Sequence, residues 1–282
     1  TLGYLYLKID FKKAFKYFNL AANQNHPIAQ YNLGNLYFRG ENVQYDFEKA
    51  IYYFSLSANQ NFVHAQFILG HIYENKQYGK QDINKAIFYY KLACAQNESK
   101  SQLSLGNIYY KSNNLLYKQK GIDLFAQSAN NGNYYSHYIL GCLYLEGKHV
   151  KRDILKAIHH YKETSSFNYH YAKNNLGIIY KNGFDDIIKK NIAASIDYFN
   201  EAIKQSNDLV AMYNLANIYM FEEIDIDKAI ELLIKSAKNG FPPSKMLLFF
   251  AIYKKYGFYS VKIANEFNIQ KDDIAFKKNY YK

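Results

Sequence analysis

Tryptophan is absent from this 282-residue chain, and proline (3), methionine (3) and cysteine (2) are scarce. Two cysteines cannot build a disulfide framework, which excludes the small secreted folds that depend on one. Cys94 and Cys142 read as two reduced small side chains. They fit a reducing compartment, and a cytoplasmic location is the expectation. So little proline, with only 14 glycines, argues against a turn-dense β protein. Long apolar runs are missing as well. The longest, MLLFFAIY at 246–253, has eight residues, where a membrane span needs roughly 20. The chain has no glycine-rich nucleotide loop and no Cys/His set with zinc spacing. No catalytic residue, cofactor or metal is expected, and the chain reads as non-enzymatic.

What is present is a folded composition, 49% hydrophobic and 21% charged, with 31 Tyr, 20 Phe and a net charge of +11. A phrase recurs: AQYNLGNLYFRG (29–40), AQFILGHIYENK (65–76), SQLSLGNIYYKS (101–112), SHYILGCLYLEG (136–147), AKNNLGIIYKNG (172–183) and AMYNLANIYMFE (211–222). Its small residue falls at 34, 70, 106, 141, 177 and 216, a near-constant period that marks a repeat array. A partial unit (Leu2, Gly3, Tyr6) precedes these, and a degenerate one with Phe250 and Tyr253 in the matching slots follows. A second phrase, as in FEKAIYYFSLSANQN (47–61), carries its own small anchor at 14, 50, 86, 121, 157, 195 and 229.

Both phrases have helical period. Asp10, Asp46, Asp82, Asp153, Asn191 and Asp225 lie four residues before the second anchor, where an N-cap belongs. Each unit therefore reads as helix A, a loop and helix B. The small slot of helix A takes Ala216 as well as glycine. It therefore demands a small side chain rather than a left-handed backbone, and helices A and B are expected to approach closely there. Tyr37, Tyr73, Tyr109, Tyr144, Tyr180 and Tyr219, three residues on, are expected to fill the space between the helices.

The L-G-x-x-Y phrase followed by Lys-Ala and a bulky run resembles the tetratricopeptide repeat. The segment Tyr37-x-x-Gly40-x-x-Val43-x-x-Asp46-x-x-Lys49-Ala50, with its longer loop, is similar to the Sel-one-like branch of that class. Departures exist: the loop before Ser195 is longer and the loop before Ala229 shorter. The resemblance implies an all-α fold: an α/α solenoid, a right-handed superhelix of seven to eight helix pairs of about 36 residues. It implies a single repeat domain over 1–282, divided as 1–25 (truncated), 26–61, 62–97, 98–132, 133–168, 169–206 and 207–240, with 241–282 as a degenerate capping repeat and tail. The chain opens TLGYLYL, without Met and partway through a repeat, so it is expected to be cut from something longer.

The resemblance further implies binding of protein partners along a concave face lined by the A helices. Positions −3, +1, +4 and +5 from the small slot are the expected contact strip. They give as partner-binding candidates Tyr31, Asn35, Phe38, Arg39, Phe67, His71, Asn107, Lys111, Tyr138, Asn174, Lys181, Tyr213 and Asn217. Asn amides suit a ligand's backbone and aromatic rings its side chains. The alternatives are an RNA-binding helical repeat, favoured by the +11 charge, and the regulatory repeat segment of a larger kinase-type protein. Glu74 and Glu146 on the same strip count against nucleic acid. Self-association through the terminal repeats is left open. His159 and His160 are adjacent, so on a helix they point about 100° apart and one packs while the other is solvated. Asp185-Asp186 reads as a solvated loop tip or helix cap.

Overall fold

The computed structural model describes residues 10–165, 169–184 and 187–257. The partial first unit (Leu2, Gly3, Tyr6), Asp185-Asp186 and the tail from 258 lie outside the described residues. The chain forms two compact units, 1–140 and 141–282. In unit one the helices are α1 (Phe11–Asn23), α2 (Pro27–Arg39), α3 (Phe47–Asn59), α4 (Val63–Glu74), α5 (Ile83–Cys94), α6 (Ser99–Tyr110) and α7 (Leu115–Asn130), with the start of α8 (Tyr134–Glu146). A 3-10 turn, Lys76–Tyr78, follows α4. Unit two continues α8 and adds α9 (Ile154–Ser165), α10 (His170–Asn182), α11 (Ile192–Ser206), α12 (Leu209–Phe221), α13 (Ile226–Lys238) and α14 (Pro242–Tyr256). Even-numbered helices are A and odd-numbered ones B. The fold is an all-α helical-repeat solenoid. Its described residues contain no strand, only an isolated bridge between Phe184 and Ile188.

The starts of the B helices follow from their caps. Asp10, Asp46, Asp82, Asp153, Asn191 and Asp225 each accept, through a side-chain oxygen, the backbone N–H three residues on, at 2.9–3.1 Å. The cap residue also closes the loop behind it. The N–H of Asp46, Asp82, Asp153, Asn191 and Asp225 donates to the carbonyl of Tyr37, Tyr73, Tyr144, Tyr180 and Tyr219 in turn. One residue thus fixes both the start of helix B and its distance from helix A.

The small slots face rings. A Cβ built on Gly34 would lie 2.6 Å from the ring of Phe54; on Gly70, Gly141 and Gly177 it would lie 2.6 Å from Tyr90, Tyr161 and Phe199, and on Gly106 2.7 Å from Phe125. Those five rings, with Phe18, are the largest fully buried side chains described. In the pair where Ala216 replaces glycine, the facing residue is Leu233, fully buried in the same cluster. Slot and partner change size together. In the α6–α7 pair the B anchor is itself a glycine, because a Cβ on Gly121 would meet the Gly106 carbonyl oxygen and the Tyr110 amide nitrogen at 2.8 Å.

This corrects the expectation for the repeated tyrosines. Tyr37, Tyr73, Tyr109, Tyr144, Tyr180 and Tyr219 are half-buried and line the rim of each pair rather than filling it. Four of them stack nearly parallel on a B-helix ring: Tyr37 on Tyr53, Tyr73 on Tyr89, Tyr144 on His160 and Tyr180 on Tyr198, with centroids 5.6–5.8 Å apart. Lys49, Lys85 and Lys156 place their ammonium groups 5.2–5.3 Å from the Tyr37, Tyr73 and Tyr144 rings. His160 thus packs while His159 is exposed, as their spacing suggested.

Buried amides in unit one tie helices together both between successive pairs and within one pair. Gln30 donates to the Ala22 carbonyl and accepts from Gln60; Gln66 donates to the Ala58 carbonyl and accepts from Gln96; Gln102 accepts from Asn131. Beside them the Ser57 and Ser128 hydroxyls donate to the carbonyls of Pro27 and Ser99. The bonds to Ala22 and Ala58 reach the preceding repeat, and the others join helices A and B of one repeat. Satisfying these groups therefore fixes register both between and within repeats.

Gly177→Ala gains about 1 kcal/mol in helix propensity, but forcing a methyl into the Phe199 ring costs roughly 1–3 kcal/mol. Net destabilisation is expected, read as a lower urea midpoint. The caps give a pH dependence. The hydrogen bond from the backbone of Lys13, Lys49 or Lys228 holds the carboxyls of Asp10, Asp46 and Asp225 below their ordinary 3.8. Depressed values mean that their contribution is full above about pH 4 and disappears as pH falls through the folded-state values. Asn191 makes the same cap hydrogen bond with a side chain that does not titrate. The triple Asp→Asn variant should therefore lose less Tm than the wild type when titrated from about pH 4 to pH 2.

Candidate protein-interaction surface

Four of the expected contact residues in unit one belong to a connected run of rings. Phe38 lies 5.5 Å from Tyr78, Tyr78 lies 6.0 Å from His71, and His71 lies 6.3 Å from Phe67. Tyr31 extends this on α2, with Phe54, Phe62 and His64 at 5.2–6.1 Å. All of the expected rings here are half-buried. Their inner edges rest on Phe54 and Tyr90, the rings that the glycine slots admit. The slot thus sets the height of the strip above the core.

The polar candidates of unit one divide. Asn35 is turned onto its own helix, its amide donating to the Tyr31 carbonyl at 3.2 Å. Arg39 is exposed and pairs with Glu41 at 3.3 Å. Asn107 is half-buried, and its carbonyl accepts the Lys111 N–H that closes α6; the Lys111 side chain is exposed. Tyr138 is half-buried and stacks on Tyr135 at 6.2 Å.

Unit two has a different character. Asn174, expected on the surface, is buried. Its amide oxygen accepts from Asn214 at 3.0 Å, because the A helices α10 and α12 come close enough for their amides to meet. Lys181 donates to the Asn217 amide oxygen at 3.0 Å. Burial, assisted by Lys190, pushes the Lys181 amine below its ordinary 10.5, while Glu222 opposes the shift. Tyr213 meets Phe241 edge-on at 5.8 Å. The side chains brought together are therefore Asn174 with Asn214 and Lys181 with Asn217.

Tyr78 and Asn214 were not among the expected contact residues, and Glu74, which was on the expected strip, turns its carboxylate to accept from the Tyr90 hydroxyl at 2.7 Å. Tyr78 sits on the 3-10 turn, held by Gly79 with φ +67°. The Tyr-Gly pair inside a loop was the available signal. Burial and Glu98 push the Cys94 thiol up to about 12, so it is a packed apolar group rather than a nucleophile.

These surfaces offer rings, amides and amines in fixed positions on consecutive A helices, which places the chain among the helix-pair repeat proteins. Seven segments, 2–26, 27–62, 63–98, 99–133, 135–166, 170–207 and 209–241, match the Sel1 repeat. The chain belongs to the Sel1 repeat family. It is similar to c5321, described as a protective antigen of uropathogenic Escherichia coli with an SLR fold (TM-score 0.82, 25% identity over 94% of this chain). The match covers 58% of that protein, so this chain spans a little over half of its length. A Sel1 repeat protein from Oxalobacter formigenes is similar over 83% of this chain and 95% of its own, with 23% identity and a TM-score of 0.67. A comparison with curated proteins found no match. No helix among the described residues is long and apolar enough to cross a membrane.

Proposed function

We propose that the A-helix side of these repeats is a docking strip for extended segments of partner proteins, and that the chain acts as a non-enzymatic scaffold or adaptor. The observation that carries this reading is the Phe38–Tyr78–His71–Phe67 run. It comprises four half-buried rings from α2, α4 and the 3-10 turn, with Phe38 and Phe67 resting on the buried Phe54 and Tyr90. Rigid rings bury large area on binding at little conformational cost and dominate the energetics of protein interfaces. Within unit one Asn107 and Lys111 would supply polar contacts for a ligand backbone, and within unit two Asn217, Lys181 and Tyr213 would do so separately.

The test is a pull-down from cell extract with wild type and a Phe38→Ala/Phe67→Ala variant, at low and high salt. Circular dichroism checks that the variant stays helical. A second variant, Arg39→Glu/Lys111→Glu, alters exposed side chains only. Proteins retained by wild type at high salt and weakened about tenfold or more by the ring variant are expected, the loss characteristic of interface anchors. Recovery of RNA that washes off with salt, indifferent to the rings but lost with the charge reversal, would overturn the reading.

A further inference from the structure

Helix α7 departs from its fellows. The other six B helices among the described residues start three residues before their small anchor, as Phe11 precedes Ala14 and Phe47 precedes Ala50. Helix α7 starts six before, at Leu115 ahead of Gly121. The extra turn is firmly held. The Asn114 side chain caps it, accepting the N–H of Leu116 at 2.8 Å and of Tyr117 at 3.4 Å. Lys118 donates to the Tyr110 carbonyl at 3.2 Å, and the Tyr117 ring lies 5.3 Å from Tyr109.

This rigid turn presents apolar surface to water. Leu115 is 70% exposed and Leu116 75%, the two highest fractions among the exposed large apolar side chains described. Neither supports the packing of the repeat, and helix propensity at a first turn does not call for adjacent leucines. Around them the stretch 111–120 carries Lys111, Lys118 and Lys120 and no acidic residue. Lys111 and Lys120 are exposed. The result is an apolar tip in a cationic collar. Such a collar repels a second copy of itself. It complements a surface with negative charge outside and hydrocarbon beneath.

We propose that the first turn of α7 is a membrane-surface anchor that inserts Leu115 and Leu116 among the headgroups of an anionic bilayer while the lysines meet lipid phosphates and carboxylates. Its leucines lie on a B helix, outside the A-helix strip, and Lys111 alone belongs to both surfaces. Two leucines bury little area, so the contact is reversible and needs the charge term as well. The chain's +11 draws the whole molecule toward such a surface.

The absence of tryptophan makes the test direct. Leu116→Trp installs a single reporter at an exposed position that carries no packing. On phosphatidylcholine vesicles containing phosphatidylserine, its emission should shift to the blue and be quenched by lipids brominated near the headgroup end of their chains. Omitting phosphatidylserine, or adding Lys111→Glu and Lys120→Glu to the reporter chain, should raise the lipid needed for half-maximal shift by about tenfold or more. An emission unchanged by anionic vesicles, an equal response to neutral ones, or a shift that follows protein concentration without lipid would each overturn the proposal.

Discussion

Everything in this molecule hangs on the distance between a bare α-carbon and a ring. In five helix pairs the A helix gives up a side chain so that a B-helix phenylalanine or tyrosine can lie flat against its backbone. Where the ring becomes Leu233, the slot becomes Ala216. Glycine lowers helix propensity by about 1 kcal/mol. A fully buried aromatic side chain returns about 1.5–3 kcal/mol, so the exchange favours the pair. It also leaves the pair little freedom to settle at another separation, because packed interiors do not deform smoothly.

From that separation the remaining devices follow. The cap residue of each B helix can reach the tyrosine carbonyl of the A helix only if the helices are that close, and it does so in five loops. The tyrosines, displaced to the rim, stack on B-helix rings under the ammonium groups of lysines. The buried rings support the outward strip on α2 and α4, so the core positions the helical part of the candidate surface and the 3-10 turn positions Tyr78. A site on such a scaffold keeps its geometry without a ligand, which lowers the ordering cost of binding.

The fold was legible in the sequence because its signals repeat. Six small slots at a near-constant spacing, with capping Asp or Asn ahead of the B anchors, specify helix pairs and their order. The partner of each slot was also written there, in the aromatic four residues after each B anchor and in Leu233 opposite Ala216. The equally regular tyrosines drew attention instead, since a helical wheel gives the face of a residue but not its depth. The surface was harder to read. Asn174 lies at a strip position yet is buried, because the approach of α12 brings Asn214 onto it. Tyr78 lies in a loop, and which repeat its ring would touch depended on the 3-10 turn. The glutamine links Gln30–Gln60 and Gln66–Gln96 join the two helices of one repeat through residues whose polarity alone suggested solvent.

The claim that slot and ring are matched in size is tested most directly by transplanting one pair's solution into another. Gly34→Ala and Phe54→Leu, singly and together, would be compared by urea unfolding. The account predicts that each single change destabilises, Gly34→Ala through the 2.6 Å approach to the ring and Phe54→Leu through the void left behind. The double variant should recover about 1–2 kcal/mol relative to their sum, as coupled neighbours do. Additive losses would contradict it, and would mean that glycine occupies the slot for a reason other than the ring.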